Sequence, residues 1–369
     1  MRFSVFLNAR STSPDQDRFV MKSLIDHSVR AEQLGFEAVF TPDHHFTGYA
    51  PWASDPMMFA SYLAAKLKTA YLGFSVVSVP LHSPVRFVER INVLDQLSDG
   101  RLLVGVGSGT TPEEMIGFGV NYADASALAD SNLDIAEQLW AKAVDDAPVV
   151  YENSHYHGKV LQRVSPAPYT PGHARLMPVA FKEASVLRAA RNGWPAFIPA
   201  FTPPIIFGLE PYKHVEKHFT RYRDLLMGAG HDASKVADAL SWTTHTYQCV
   251  HLAETDEQAY EELMIILKGY QDAVDRENAF AAKAESDQAN KKKDQNLGAL
   301  NPEWIATWCL YGSPKTVIEH LEPYAKLGIG NVLCGTSTGP LTEQRLAFAE
   351  QTIRLMGEHV IPHFRGRGA

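Results

Sequence analysis

The chain has 369 residues, 45% of them hydrophobic, enough to bury a large core and inconsistent with a fibre or a disordered chain. Its formal charge is -8 and its isoelectric point is near 6.0, so no net positive field draws it to nucleic acid or to an anionic membrane surface. Cys249, Cys309 and Cys334 are odd in number and widely spaced, which suits neither a disulfide framework nor a zinc motif and makes a reducing cytoplasm the expected location.

Residues 2–8 read as a buried first strand, because the apolar run is too short for a signal peptide and breaks at once into polar residues. A helix is expected over 17–34 with Val20, Leu24, Ala31 and Leu34 on one stripe, stopped by Gly35, before strand 36–41. A helix near 56–68 leads to an apolar strand at 71–79. Ser83 and Pro84 then open a helix that ends at Asp99-Gly100, and strand 101–106 and a helix around 124–143 follow. Residues 146–175, rich in Pro, His, Tyr and Gly, read as an excursion with a short hairpin.

Strands resume at 177–181, 196–201 and 241–251, with helices at 183–192, 209–229 and 256–282. The lysine-rich stretch between 280 and 310 reads as solvated and mobile. A helix opened by Ser313-Pro314, a strand at 331–334 and a helix over 341–360 close the chain. Eight strands alternating with helices imply one parallel sheet in a single domain spanning 1–369, since each parallel connection needs a crossover. Periodicity leaves open whether that sheet is closed. No segment reaches the roughly 20 apolar residues of a membrane-spanning helix.

In a closed barrel the chemistry sits just after the strands, at their C-terminal ends. Asp43-His44-His45-Phe46 follows the second strand, where an imidazole can move a proton and Asp43 can fix the tautomer of His44; a histidine capping the barrel end is the alternative. Gly105-Val106-Gly107-Ser108-Gly109 ends the fourth strand and lets backbone approach a phosphate, or else serves tight packing. It misses the dinucleotide fingerprint at Thr110. Phe181-Lys182-Glu183-Ala184-Ser185 brings backbone N–H groups, a hydroxyl and an ammonium to a helix start, which suits an anion. His155 and His157 carry no ligand pattern for a metal, and none is expected.

Read together, these motifs resemble the bacterial luciferase family of flavin-dependent monooxygenases. Ala31-Glu32-Gln33-Leu34-Gly35-Phe36-Glu37-Ala38-Val39-Phe40 leading into Asp43-His44-His45-Phe46 is similar to that family's first helix and second strand. Val79-Pro80-Leu81-His82-Ser83-Pro84-Val85-Arg86, then Leu94-Asp95-Gln96-Leu97-Ser98-Asp99-Gly100-Arg101 with Gly105-Val106-Gly107, is the most specific portion. Gly312-Ser313-Pro314 and Leu327-Gly328-Ile329-Gly330-Asn331-Val332-Leu333-Cys334-Gly335 extend the likeness to the last strand.

The resemblance implies a (β/α)8 TIM barrel and reduced FMN supplied by a separate flavin reductase. It also implies a mobile loop near 283–300 over the site and a homodimer. His44 falls on the catalytic histidine, with Asp43 beside it; Phe181, Lys182 and Ser185 fall where the flavin phosphate binds, and Ser75-Val76 where a non-prolyl cis peptide lies beneath the flavin. Gly107 stands where luciferase has a reactive cysteine. Ser108 and Ser126 stand where it has arginines. The implied reaction puts one oxygen atom from O2 into a small carbonyl or aldehyde through a flavin C4a-hydroperoxide, with Phe6, Trp52 and Trp242 as candidate substrate walls. Deazaflavin (F420)-dependent hydride transfer and a non-catalytic flavin-binding relative are the alternatives.

Overall fold

Gly35 ends the first helix, Pro14–Gln33, with φ of +96°, a conformation that costs a residue bearing Cβ roughly 1–2 kcal/mol and glycine almost nothing. The amide of Phe36 donates to Ala31 O and that of Gly35 to Glu32 O, both at 3.0 Å, so the final carbonyls of the helix are satisfied while the chain reverses. The computed structural model, which describes residues 1–46, 50–198, 210–281 and 298–366, repeats this return from helix to strand around a ring.

The ring strands, in chain order, are β1 (Arg2–Phe6), β2 (Ala38–Thr41), β3 (Tyr71–Ser78) and β4 (Leu102–Gly107), followed by β5 (Arg175–Pro178), β6 (Phe197–Ile198), β7 (Thr244–Tyr247) and β8 (Asn331–Gly335). Each pairs in parallel with its neighbour in sequence, and β8 pairs with β1 with Val332 opposite Phe3. A parallel bridge between Val179 and Phe197 joins β5 to β6 and completes the circle. The eight strands expected from the sequence therefore form a (β/α)8 barrel. The excursion carries the expected hairpin, Val149–Glu152 against His157–Val160.

Two stretches differ from the sequence reading. Residues 241–251 are not one strand: an unexpected helix, Ala233–Trp242, takes the first two, and the chain leaves the ring between Tyr247 and Cys249. The Gln248 carbonyl accepts from the side chains of Asn8 and Thr338 instead of a neighbouring strand, which ends the ladder there. Cys249–Leu252 then pairs with Cys309–Gly312 outside the ring. The second is the stretch between 280 and 310, which ends in a helix, Pro302–Trp308, capped by Asn301. The lysine-rich residues before it fall in 282–297, outside the described residues, as does the expected continuation of β6 past residue 198.

Inside the ring, Phe6, Phe40, Leu103, Met177, Phe197 and Leu333 form one buried cluster. Gly73 and Gly105 make room for it, since a Cβ on either would overlap the Phe40 ring or the Phe74 carbonyl. A larger core lies between the strands and the helices, where each buried Leu, Val or Phe contributes about 1.5–3 kcal/mol. Trp242 stoppers the N-terminal end of the barrel, with the Arg2 guanidinium 4.4 Å above its ring and Tyr71 at 4.6 Å. No helix among the described residues is long and apolar enough to cross a membrane.

Candidate active site

Four strand ends supply the site at the opposite mouth. Beyond β2, Asp43 is buried and both its oxygens are engaged. Oδ1 meets His45 Nε2 at 3.1 Å, while Oδ2 meets His82 Nε2 at 2.9 Å and accepts from the Ser78 amide at 2.9 Å. Burial alone would raise the Asp43 carboxyl, but the hydrogen bonds and charge of His45 and His82 outweigh it and hold the group far below the usual carboxylate range. Burial pulls the His45 imidazolium down. The bond to Asp43 and the charges of Asp43, Glu114 and Asp55 more than offset this and raise it.

His44 is not held by Asp43, as its position in the sequence suggested. Its Nδ1 lies 2.9 Å from Glu114 Oε1, and that same oxygen accepts from the His45 amide at 2.8 Å. Asp43 points the other way because the Ser78 amide and two further imidazoles claim it. Glu114 is 1% exposed and His44 26%, so the pair spans from core to site. Glu114 Oε2 is buried and has no hydrogen-bond partner among the described residues.

Glu114 was absent from the sequence reading, and so was the short helix, Pro112–Gly117, that carries it. The signal was present: Thr111-Pro112-Glu113-Glu114 has an N-cap residue, a proline at the first helical position and acid in the first turn. Phe46 and Phe118 were also missed as a pair. Their rings lie 5.5 Å apart, with Phe118 edge-on to His45 at 4.6 Å, and they are 72% and 39% exposed. Phe46 holds a φ of +62°, uncommon for a side chain of its size.

At the β3 end the Ser75-Val76 peptide is cis. Val76 leans toward β4, where a Cβ on Gly107 would come within 2.7 Å of Val76 Cγ2, so a cysteine there would collide. Ser108 follows, half-buried. Across the mouth, Lys182 precedes the helix Glu183–Asn192 and its Nζ donates to Ser126 Oγ at 2.6 Å. Ser185 is in the first turn of that helix, half-buried, and Phe181 is exposed with its ring 5.8 Å from His218. An ammonium, two hydroxyls and the amides of a ten-residue helix make a donor set that fits the phosphate tail of a flavin. Arg188, one turn on, is already committed to Asp134 and Glu137.

The three candidate wall residues separate. Phe6 ends β1 inside the barrel, beneath the site. Trp52 is buried in the outer core against Phe59, reaching the site only through its neighbour Ala53, whose carbonyl accepts from the His44 amide at 3.2 Å. Trp242 cannot wall this site, because it closes the other end of the barrel with Arg2 and Tyr71.

Comparison with known proteins places this geometry in context. An alkanal monooxygenase alpha chain from the Kryptophanaron alfredi symbiont is 24% identical over 380 residues, covering 99% of each chain. The oxygenating constituent of 3,6-diketocamphane monooxygenase from Pseudomonas putida, a type II Baeyer-Villiger enzyme solved with FMN, superposes with a TM-score of 0.73 at 17% identity over 98% of each chain. An F420-dependent secondary alcohol dehydrogenase superposes with a TM-score of 0.67 at 16% identity over 99% of each chain, so the barrel is shared across two cofactor types. Residues 1–331 match the family described as luciferase-like monooxygenase, and the chain belongs to that family of enzymes.

Proposed function

We propose that this chain is the oxygenase of a two-component system, taking reduced FMN from a separate flavin reductase and placing one atom of O2 into a small carbonyl or aldehyde substrate. The observation that carries the reading is the His44–Glu114 pair at the same mouth as the Lys182–Ser126 pair. Bound reduced flavin would supply the activation of oxygen. The protein's own part is to bind, orient, exclude water and move a proton.

Lys182, Ser126 and Ser185, with the amides after Phe181, would hold the flavin phosphate through one ammonium in place of the arginines that Ser108 and Ser126 replace. Ser75, Val76 and Gly107 would lie under the ring. With Glu114 accepting a hydrogen bond from Nδ1–H of His44, the ring is left to exchange a proton at Nε2, where it can donate to or accept from a reacting oxygen. Asp43 ties the β2 and β3 ends together through Ser78. The Phe46–Phe118 rim favours an apolar substrate and helps keep water from the reaction.

Exposed Met58 and Tyr62 on the helix Pro56–Lys66, and Val93 and Leu97 on the adjacent helix Pro84–Leu97, form the apolar face through which two copies would pair as a homodimer. The barrel shared with an F420-dependent secondary alcohol dehydrogenase supports one further reading, hydride transfer with F420.

The test is anaerobic titration with reduced FMN, then rapid mixing with O2 and substrate. Micromolar binding with substrate-dependent oxygen consumption is expected, and His44→Ala should slow oxygen transfer by about 10²–10⁴-fold with FMN still bound. F420 reduction without oxygen uptake would replace this reading.

A further inference from the structure

His82 lies outside both pairs assigned above, yet its ring reaches the same buried carboxylate as His45. Asp43 offers one oxygen to each, at 3.1 Å to His45 Nε2 and 2.9 Å to His82 Nε2, and the second oxygen also accepts from the Ser78 amide. The His82 turn is braced for this contact: the Asn132 side chain donates to the carbonyls of Val79 and His82, and Tyr156 donates to Pro80 O at 3.2 Å. Holding a three-residue turn from two other elements fixes the ring against Asp43 far better than a mobile surface loop would.

We propose that His82 is a positioning residue for oxygen transfer, acting on His45 through the Asp43 carboxylate that the two rings share. It rests on the oxygenase reading only for its effect on rate. The physics is competition for one charge. A donor at Oδ2 spreads the negative charge of Asp43 and weakens its hold on the His45 proton.

Among the described residues, the other charged groups that face His45 are Glu114 from the short helix and Asp55 from the turn before Pro56, both anionic, with His44 adjacent in the chain. Phe46 and Phe118 pack uncharged rings against it. His82 is thus the ring that competes with His45 for the charge of Asp43.

The experiment follows the His45 ring directly by ¹⁵N NMR of the histidine side chains in the cofactor-free protein, assigned with His45→Gln. Replacing His82 with Ala should move the His45 midpoint up by roughly one pH unit. His82→Gln, which keeps a donor where Nε2 stood, should bring it back. The alkaline limb of kcat/KM should move with the midpoint in both variants. A His45 midpoint unmoved in His82→Ala and in His82→Gln, with kcat reduced equally at every pH, would overturn the proposal and leave His82 as packing. Since the ring titration needs no flavin, a failure of the oxygenase reading would leave the NMR result standing.

Discussion

At Glu114 one oxygen accepts from both the His44 ring and the His45 amide while the other is buried with no partner among the described residues. Leaving those donors without an acceptor should cost more than losing a charge, so Glu114→Ala should lower kcat/KM by about 10²-fold and Glu114→Gln, whose amide oxygen can still accept, by less. Steady-state rates for the two variants, set beside their affinity for reduced FMN, check this; equal losses in both would mean that charge alone matters. Lys182 makes a separate claim. Removing its ammonium should weaken reduced FMN by about tenfold while leaving riboflavin, which has no phosphate, unchanged in a parallel titration. His44 and His45 could be picked out from the sequence because they follow a strand, but their partners could not: Glu114 is 70 residues away from His44, and His82 is 39 from Asp43. Local pattern carries no distance of that kind, and the nearest carboxylate in sequence, Asp43, was the natural and mistaken choice for His44.

Elements were more legible than their contacts. Gly35, Asp99-Gly100 and Ser313-Pro314 mark where helices stop and start, and the structure ends or begins a helix within two residues of each. The helix Ala233–Trp242 escaped because ten residues give under three turns of periodicity, and its end runs straight into β7. The barrel interior depends on glycines that no pattern ranks. Gly105 lies where a Cβ would press on the Phe74 carbonyl and, at 2.8 Å, on the Phe197 ring, both parts of rigid neighbours. Gly105→Ala should therefore destabilise by about 1–3 kcal/mol, read from the urea midpoint, whereas Gly228→Ala, with open space around it, should not destabilise. If the two variants unfold alike, β4 has more slack than this packing allows.

For the whole molecule, acid is the main hazard. Burial pushes His27 down to about 4, and burial with the charges of His320 and His214 pushes His245 down to about 3. Both are neutral in the folded chain and take up protons more readily once it unfolds. Their folded values lie below the unfolded one, so stability is complete above about pH 6.5 and falls as pH drops toward 4, by about 2 kcal/mol for each at pH 5. Melting temperatures between pH 7.5 and 5 should decline accordingly. His245→Phe, which keeps a ring on Tyr324, should flatten the decline, and an unchanged slope would assign it to other groups.

The Trp242 stopper gives the molecule a direction. With indole, phenol and guanidinium packed together across the N-terminal end, the barrel is a cup and not a pipe. Whatever reaches the His44 side must come in past the strand-end loops and go out the same way. Ligands entering and products leaving would then share that mouth. In that arrangement the order of arrival would matter, because an occupant seated first would block the next, and turnover would be paced by how quickly the mouth clears.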